Sequence, residues 1–203
     1  MGQGAQAASY TGAGDGLPVS KVRWRMISQN NSVFSAPARP YSLMGGVSCR
    51  VWHDRKQLHI KAWEDSEGLE AMSRELSKLL ADVMAVTGLA RGRVGVGGFS
   101  QGGHMALHWV YGQGEEVGAC FALSSFLCEG TKVLEDVKRV NIPLFMSSGT
   151  KDTLVDESWT RSTKDRLERA GAEVEYLVKE GLEHQMEEGQ LDRLFQWLAG
   201  KLK

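Results

Sequence analysis

The 203-residue chain reads as an α/β fold, a mostly parallel central sheet with helices packed on both faces. Three observations lead there. Apolar runs over residues 94–99, 117–124 and 143–147 alternate with stretches whose apolar residues recur every three or four positions. Those runs are continuous rather than alternating, as in strands covered on both sides. The first run turns abruptly through Gly98-Phe99-Ser100-Gln101-Gly102 into a helical pattern. That is the strand, tight turn and helix of a nucleophile elbow, which pushes its serine toward solvent.

In order, residues 1–20 are Gly-, Ala- and Gln-rich and cannot offset their own ordering entropy, so a loose arm is expected there and a single domain over residues 21–203. Residues 21–30 fit a strand or a helical face equally well. Residues 33–36 form a short strand candidate that runs into Pro37 and Pro40, and residues 37–64 have no clean period, which predicts a long surface excursion. Leu69, Met72, Leu76, Leu80 and Val83 mark an amphipathic helix that Gly88 ends. Met105, Ala106, Trp109 and Val110 form the stripe of the elbow helix, and Val133, Val137 and Val140 suggest a short helix. A helix over about 156–170 stops at Gly171, residues 173–178 alternate like an edge strand, and Leu191, Leu194, Phe195, Leu198 and Leu202 share one face of a last helix.

Composition narrows the function classes. With 24 Lys and Arg against 25 Asp and Glu, no global field recruits nucleic acid or an anionic membrane, and a small, mostly neutral substrate fits better. Cys49, Cys120 and Cys128 are odd in number and lack metal-ligand spacing, so a reducing, cytoplasmic setting is expected. No apolar stretch has membrane-spanning length, no signal-peptide order is present, and Gln6 stands where a myristoylation signal wants Ser or Thr. No metal and no cofactor is expected, since Gly95-Val96-Gly97-Gly98 lacks the dinucleotide spacing.

A serine hydroxyl needs a base within hydrogen-bond reach and an acid that orients the base. In an elbow of this kind the order along the chain is serine, acid, histidine. His53 and His59 precede Ser100, and His104 and His108 lie on its helix, projecting away from the loop edge, so His184 is the candidate base. Asp152 is the candidate acid because it follows the apolar strand at 143–147, with Asp156 and Glu183 as rivals. Asp156 is better explained as a helix N-cap. The Gln101 backbone N–H is the candidate oxyanion donor, and a second donor must come from an early loop.

The segments Gly97-Gly-Phe-Ser-Gln-Gly-Gly103, Ser148-Gly-Thr-Lys-Asp-Thr-Leu-Val155 and Glu183-His184 resemble the acyl-protein thioesterase and lysophospholipase family of α/β-hydrolases, and residues 121–127 and 40–54 look most like its lysophospholipase-like branch. The resemblance covers roughly residues 33–203. It implies Ser100, Asp152 and His184 as the triad and Trp52 with Asp54 as the W-x-D substrate loop. It also implies Ala13 as the second oxyanion donor, in Thr11-Gly-Ala-Gly-Asp15 where the family has L-H-G-x-G-D. Two further family strands have no counterpart ahead of that loop, so the N-terminal strands are expected to be missing or degraded, with no strand to fix Ala13. The implied activity is hydrolysis of acyl esters or thioesters, depalmitoylation included, with a small acyl ester or an S-acylated protein as substrate and at most transient membrane contact. A catalytically impaired relative that binds acyl groups or proteins is the alternative. Dienelactone-type chemistry, which generally places Cys at the elbow, is disfavoured by Ser100.

Overall fold

A computed structural model describes residues 6–10, 31–135, 137 and 141–202. In chain order these form strands β1 (Gln6–Tyr10) and β2 (Asn31–Phe34), the hairpin strands β3 (Ala38–Tyr41) and β4 (Val47–Arg50), helix α1 (Ser66–Thr87), β5 (Val94–Phe99), α2 (Gln101–Leu107), β6 (Ala119–Leu123), β7 (Leu144–Gly149), α3 (Glu157–Arg169), β8 (Val174–Lys179) and α4 (Glu188–Lys201). Six of these strands make one sheet in the order β2-β1-β5-β6-β7-β8, and every neighbouring pair is parallel.

Side chains alternate across each inner strand. Val94, Val96, Cys120, Ala122, Leu144 and Met146 pack with the buried residues of α1, α2 and α3, while Ala119, Phe121, Leu123 and Phe145 pack with α4. The sheet is therefore covered on both faces, which is why its inner strands read as unbroken apolar runs. Helix α1 starts where the Asp65 side chain accepts from the Gly68 N–H and stops at Gly88, whose φ of 69° suits glycine. No helix among the described residues is long and apolar enough to cross a membrane.

Two expectations are corrected. A strand does lead into Thr11: Gln6–Tyr10 lies between two parallel neighbours, with Ala7 opposite both Asn31 and Gly95. Its sequence, Gln-Ala-Ala-Ser-Tyr, carries little apolar signal, because ladders on both sides hold a central strand through its backbone. The rest of the arm, including Thr11–Asp15 and Ala13, lies outside the described residues. Residues 37–64 are not simply a surface excursion. They open as an antiparallel hairpin reversed through Gly45 (φ 66°) and Gly46 (φ 86°), then bury Val51, Trp52 and Ile60. The helix suggested by Val133, Val137 and Val140 is described only as a single turn, Lys132–Leu134, capped by the Thr131 side chain.

All the parallel strands end at one edge, so the loops after β5, β7 and β8 meet there. The strand order also reverses between β1 and β5, which opens a crevice at the end of β5. Close packing under that crevice rests on Gly97, where a Cβ would stand 2.2 Å from the Phe121 carbonyl oxygen on β6. Gly97→Ala is therefore expected to cost about 1–3 kcal/mol in chemical denaturation. Gly92→Ala, where a Cβ meets nothing within 4 Å, should cost little; equal losses would contradict this account.

Candidate active site

Ser100 occupies the turn between β5 and α2 with φ 54° and ψ −123°, a region non-glycine residues rarely visit. Its N–H donates to the Leu123 carbonyl at 2.8 Å, and its own carbonyl accepts from the His104 N–H at 3.2 Å. Gly103 lets the helix approach, because a Cβ there would stand 2.8 Å from the Ser125 Cβ and 2.9 Å from the Gly98 carbonyl oxygen. The elbow is thus held from the strand side and the helix side at once.

The loops after β7 and β8 bring Asp152 and His184 to this turn. They press together at Gly149, where a Cβ would lie 2.1 Å from the Leu182 carbonyl oxygen, and the Lys151 N–H donates to that same carbonyl at 3.0 Å. His184 Nδ1 lies 2.8 Å from Asp152 Oδ2, and His184 Nε2 lies 3.0 Å from Ser100 Oγ. A carboxylate only accepts, so Nδ1 carries the proton and Nε2 presents its lone pair to the serine hydroxyl. The Phe99 ring packs against the imidazole at a centroid distance of 4.7 Å.

Asp152 Oδ1 accepts from the Val155 N–H at 2.8 Å and the Leu154 N–H at 3.0 Å. Burial pushes this carboxyl up. The His184 hydrogen bond, the two N–H donors and the imidazole charge outweigh burial and hold it below the ordinary carboxylate range. The rival acids are occupied elsewhere: Asp156 accepts from the Ser158 N–H at 2.8 Å and caps α3, and Glu183 is exposed on the loop.

Gln101 begins α2, so its backbone N–H has no partner within the helix and stands beside Ser100. Its side chain is fixed elsewhere: Oε1 accepts from the Trp52 N–H at 2.8 Å and Nε2 donates to the His53 carbonyl at 3.0 Å. Trp52 is buried in the main core. Asp54 accepts from the Ser42 N–H at 2.8 Å and from Ser42 Oγ at 2.5 Å. In these positions the W-x-D residues fasten the excursion, Trp52 to the elbow and Asp54 to the hairpin turn.

The sequence reading missed a second convergence. Glu64, at the end of the excursion, meets His104 and His108 from α2 and the turn that extends it. The available signal was H-x-x-x-H, which puts both imidazoles on one helix face.

The pattern of the Phospholipase/Carboxylesterase family matches residues 22–201. The chain is 32% identical to the Lysophospholipase-like protein 1 of Mus musculus over 171 residues, which are 83% of this chain and 71% of that protein. It is 28% identical to the Acyl-protein thioesterase 1 homolog 1 of Dictyostelium discoideum, covering 83% of this chain and 75% of that one. Among solved structures, the acyl-protein thioesterase 2 of Zea mays superposes with a TM-score of 0.79 at 25% identity, over 99% of this chain and 95% of that one. With a family match over most of its length and an α/β-hydrolase fold, the chain belongs to the phospholipase/carboxylesterase family of hydrolases.

Proposed function

We propose that the chain is a serine hydrolase that cleaves acyl esters or thioesters through a Ser100-His184-Asp152 triad and an acyl-enzyme. The observation that carries this reading is the imidazole of His184 bridging Asp152 Oδ2 and Ser100 Oγ at 2.8 and 3.0 Å. In acylation, His184 Nε2 takes the hydroxyl proton as Ser100 Oγ bonds the acyl carbon, and the same proton then goes to the leaving alkoxide or thiolate. Water repeats the sequence in reverse: it gives its proton to His184, attacks the acyl carbon, and Ser100 leaves reprotonated. The Gln101 N–H serves as one oxyanion donor. Ala13, three residues beyond the end of β1, is the proposed second donor. S-acylated proteins and lysophospholipid-like esters are the favoured substrate classes, by likeness to the named relatives. The cytoplasm, where such acylated proteins present their modified cysteines, is the proposed setting.

A fluorophosphonate probe is expected to label the folded protein, with labelling abolished in Ser100→Ala. A folded protein that stays unlabelled would leave an acyl or protein binder as the surviving reading.

Asp152→Asn should preserve the fold and lower kcat about 10⁴-fold, since an amide no longer enforces the productive imidazole tautomer. Larger losses in Asp156→Asn or Glu183→Gln would move the acid elsewhere.

Because Asp152 is held below the carboxylate range, it stays ionised while His184 exchanges its proton. Acid therefore inactivates by protonating the base. A protonated imidazole cannot accept the serine proton, so kcat/KM should fall along a single limb on acidification; a profile with no acid limb would exclude His184 as the base.

A further inference from the structure

On the buried side of α2, one turn beyond the nucleophile, lie three side chains that acyl transfer does not use. His104 and His108 are 1% and 7% exposed, and Glu64 reaches them from the end of the 37–64 segment. Glu64 Oε1 stands 3.0 Å from His108 Nε2 and 3.4 Å from His104 Nε2, and the three candidate ligand atoms all lie within 4.8 Å of one another. Tetrahedral zinc, with bonds of about 2.0–2.1 Å to nitrogen and oxygen, separates its ligand atoms by about 3.3–3.4 Å. The two carboxylate-imidazole spacings are close to that separation.

The protonation pattern points the same way. His104 Nδ1 lies 2.6 Å from the Phe126 carbonyl oxygen, which only accepts, so Nδ1 carries the ring proton. In the tautomer with its proton on Nδ1, Nε2 presents a lone pair toward the Glu64 carboxylate oxygen 3.4 Å away, and it is a buried atom without a hydrogen-bond partner. Two acceptors facing each other in a dry interior repel unless a cation lies between them. A divalent metal ion, which bonds both acceptors directly, answers that need.

The Nδ1 bond to a backbone carbonyl is also the outer support that metal-bound histidines use to fix their tautomer. His53 repeats the arrangement: Nδ1 sits 2.9 Å from the Asp54 carbonyl, Nε2 is buried without a partner, and its ring lies 4.7 Å from that of His104. Thr131 Oγ1, 3.4 Å from His108 Nε2, is a further polar neighbour.

We propose that Glu64, His104 and His108 form a zinc site that clamps the end of the 37–64 segment to the elbow helix. Two imidazoles and one carboxylate suit Zn²⁺ among biological cations. Three protein donors leave the fourth tetrahedral position to a water, and the site is separate from the triad. Its connection to the reaction runs through His104, whose N–H donates to the Ser100 carbonyl at 3.2 Å. Arg55, buried nearby, opposes a second cation and is partly offset by the Glu64 charge, so the zinc is expected to be removable by a chelator.

The test uses the full chain, treated with a chelator, dialysed, and titrated with ZnCl₂ by calorimetry and with CoCl₂ by visible absorption. One equivalent of zinc should bind, with a rise in Tm, and cobalt should give the intense bands of a four-coordinate nitrogen and oxygen site. Binding should be unchanged in His184→Ala, which removes the only imidazole of the triad. It should weaken more than about tenfold in Glu64→Gln, His104→Gln and His108→Gln. If a glutamine variant fails to fold by circular dichroism, the cobalt spectrum of the unaltered chain decides. Failure of the unaltered chain to take up one equivalent, retention of full affinity in the three glutamine variants, or a six-coordinate cobalt spectrum would each overturn the proposal.

Discussion

The φ of 54° at Ser100 is the constraint on which the site depends. A non-glycine residue in that region costs on the order of 1–3 kcal/mol and persists only where its surroundings over-determine it. Here the surroundings are specific. The Leu123 carbonyl on β6 takes the Ser100 N–H, the first turn of α2 takes its carbonyl, and Gly97 and Gly103 let a strand and a loop approach more closely than any side chain would permit. With the backbone reversed in this way, the hydroxyl meets an imidazole delivered by a different strand 84 residues later.

The same edge logic governs the acid and the base. Parallel strands β7 and β8, in register from Leu144 opposite Val174 to Gly149 opposite Lys179, end together, so their loops emerge side by side. Gly149 removes the one atom that would hold those loops apart. Asp152 then spends one carboxylate oxygen on its own loop, through the Leu154 and Val155 N–H groups, and the other on His184. Neither oxygen is left to choose between partners, which is what a reliable orienting acid requires.

Most of this was legible in the sequence for identifiable reasons. The inner strands announced themselves because both faces are buried, and the elbow because its glycines carry a steric meaning. The order of Ser100, Asp152 and His184 follows from the way such a fold is wound. What was hidden is equally instructive. Strand β1 is held by backbone ladders on both sides, so its residues need not look like a strand. Trp52 is buried in the core with its N–H held by the Gln101 side chain 49 residues away, and no local period reports that. The meeting of Glu64 with His104 and His108 joins residues 40 and 44 apart along the chain, and only half of it, the helical spacing of the two histidines, is written locally.

The Gln101 side chain, described above as fixed, has a wider meaning. It grips Trp52 and His53 by their main-chain atoms with both ends of its amide while its own backbone begins the helix beside the nucleophile. These main-chain contacts add to the hold of the buried Trp52 and His53 side chains and of the Asp54 carboxylate on Ser42. Any excursion large enough to peel the segment away must also break a donor and an acceptor on the residue next to Ser100. Opening of the segment therefore also frees the side chain of the residue next to the nucleophile.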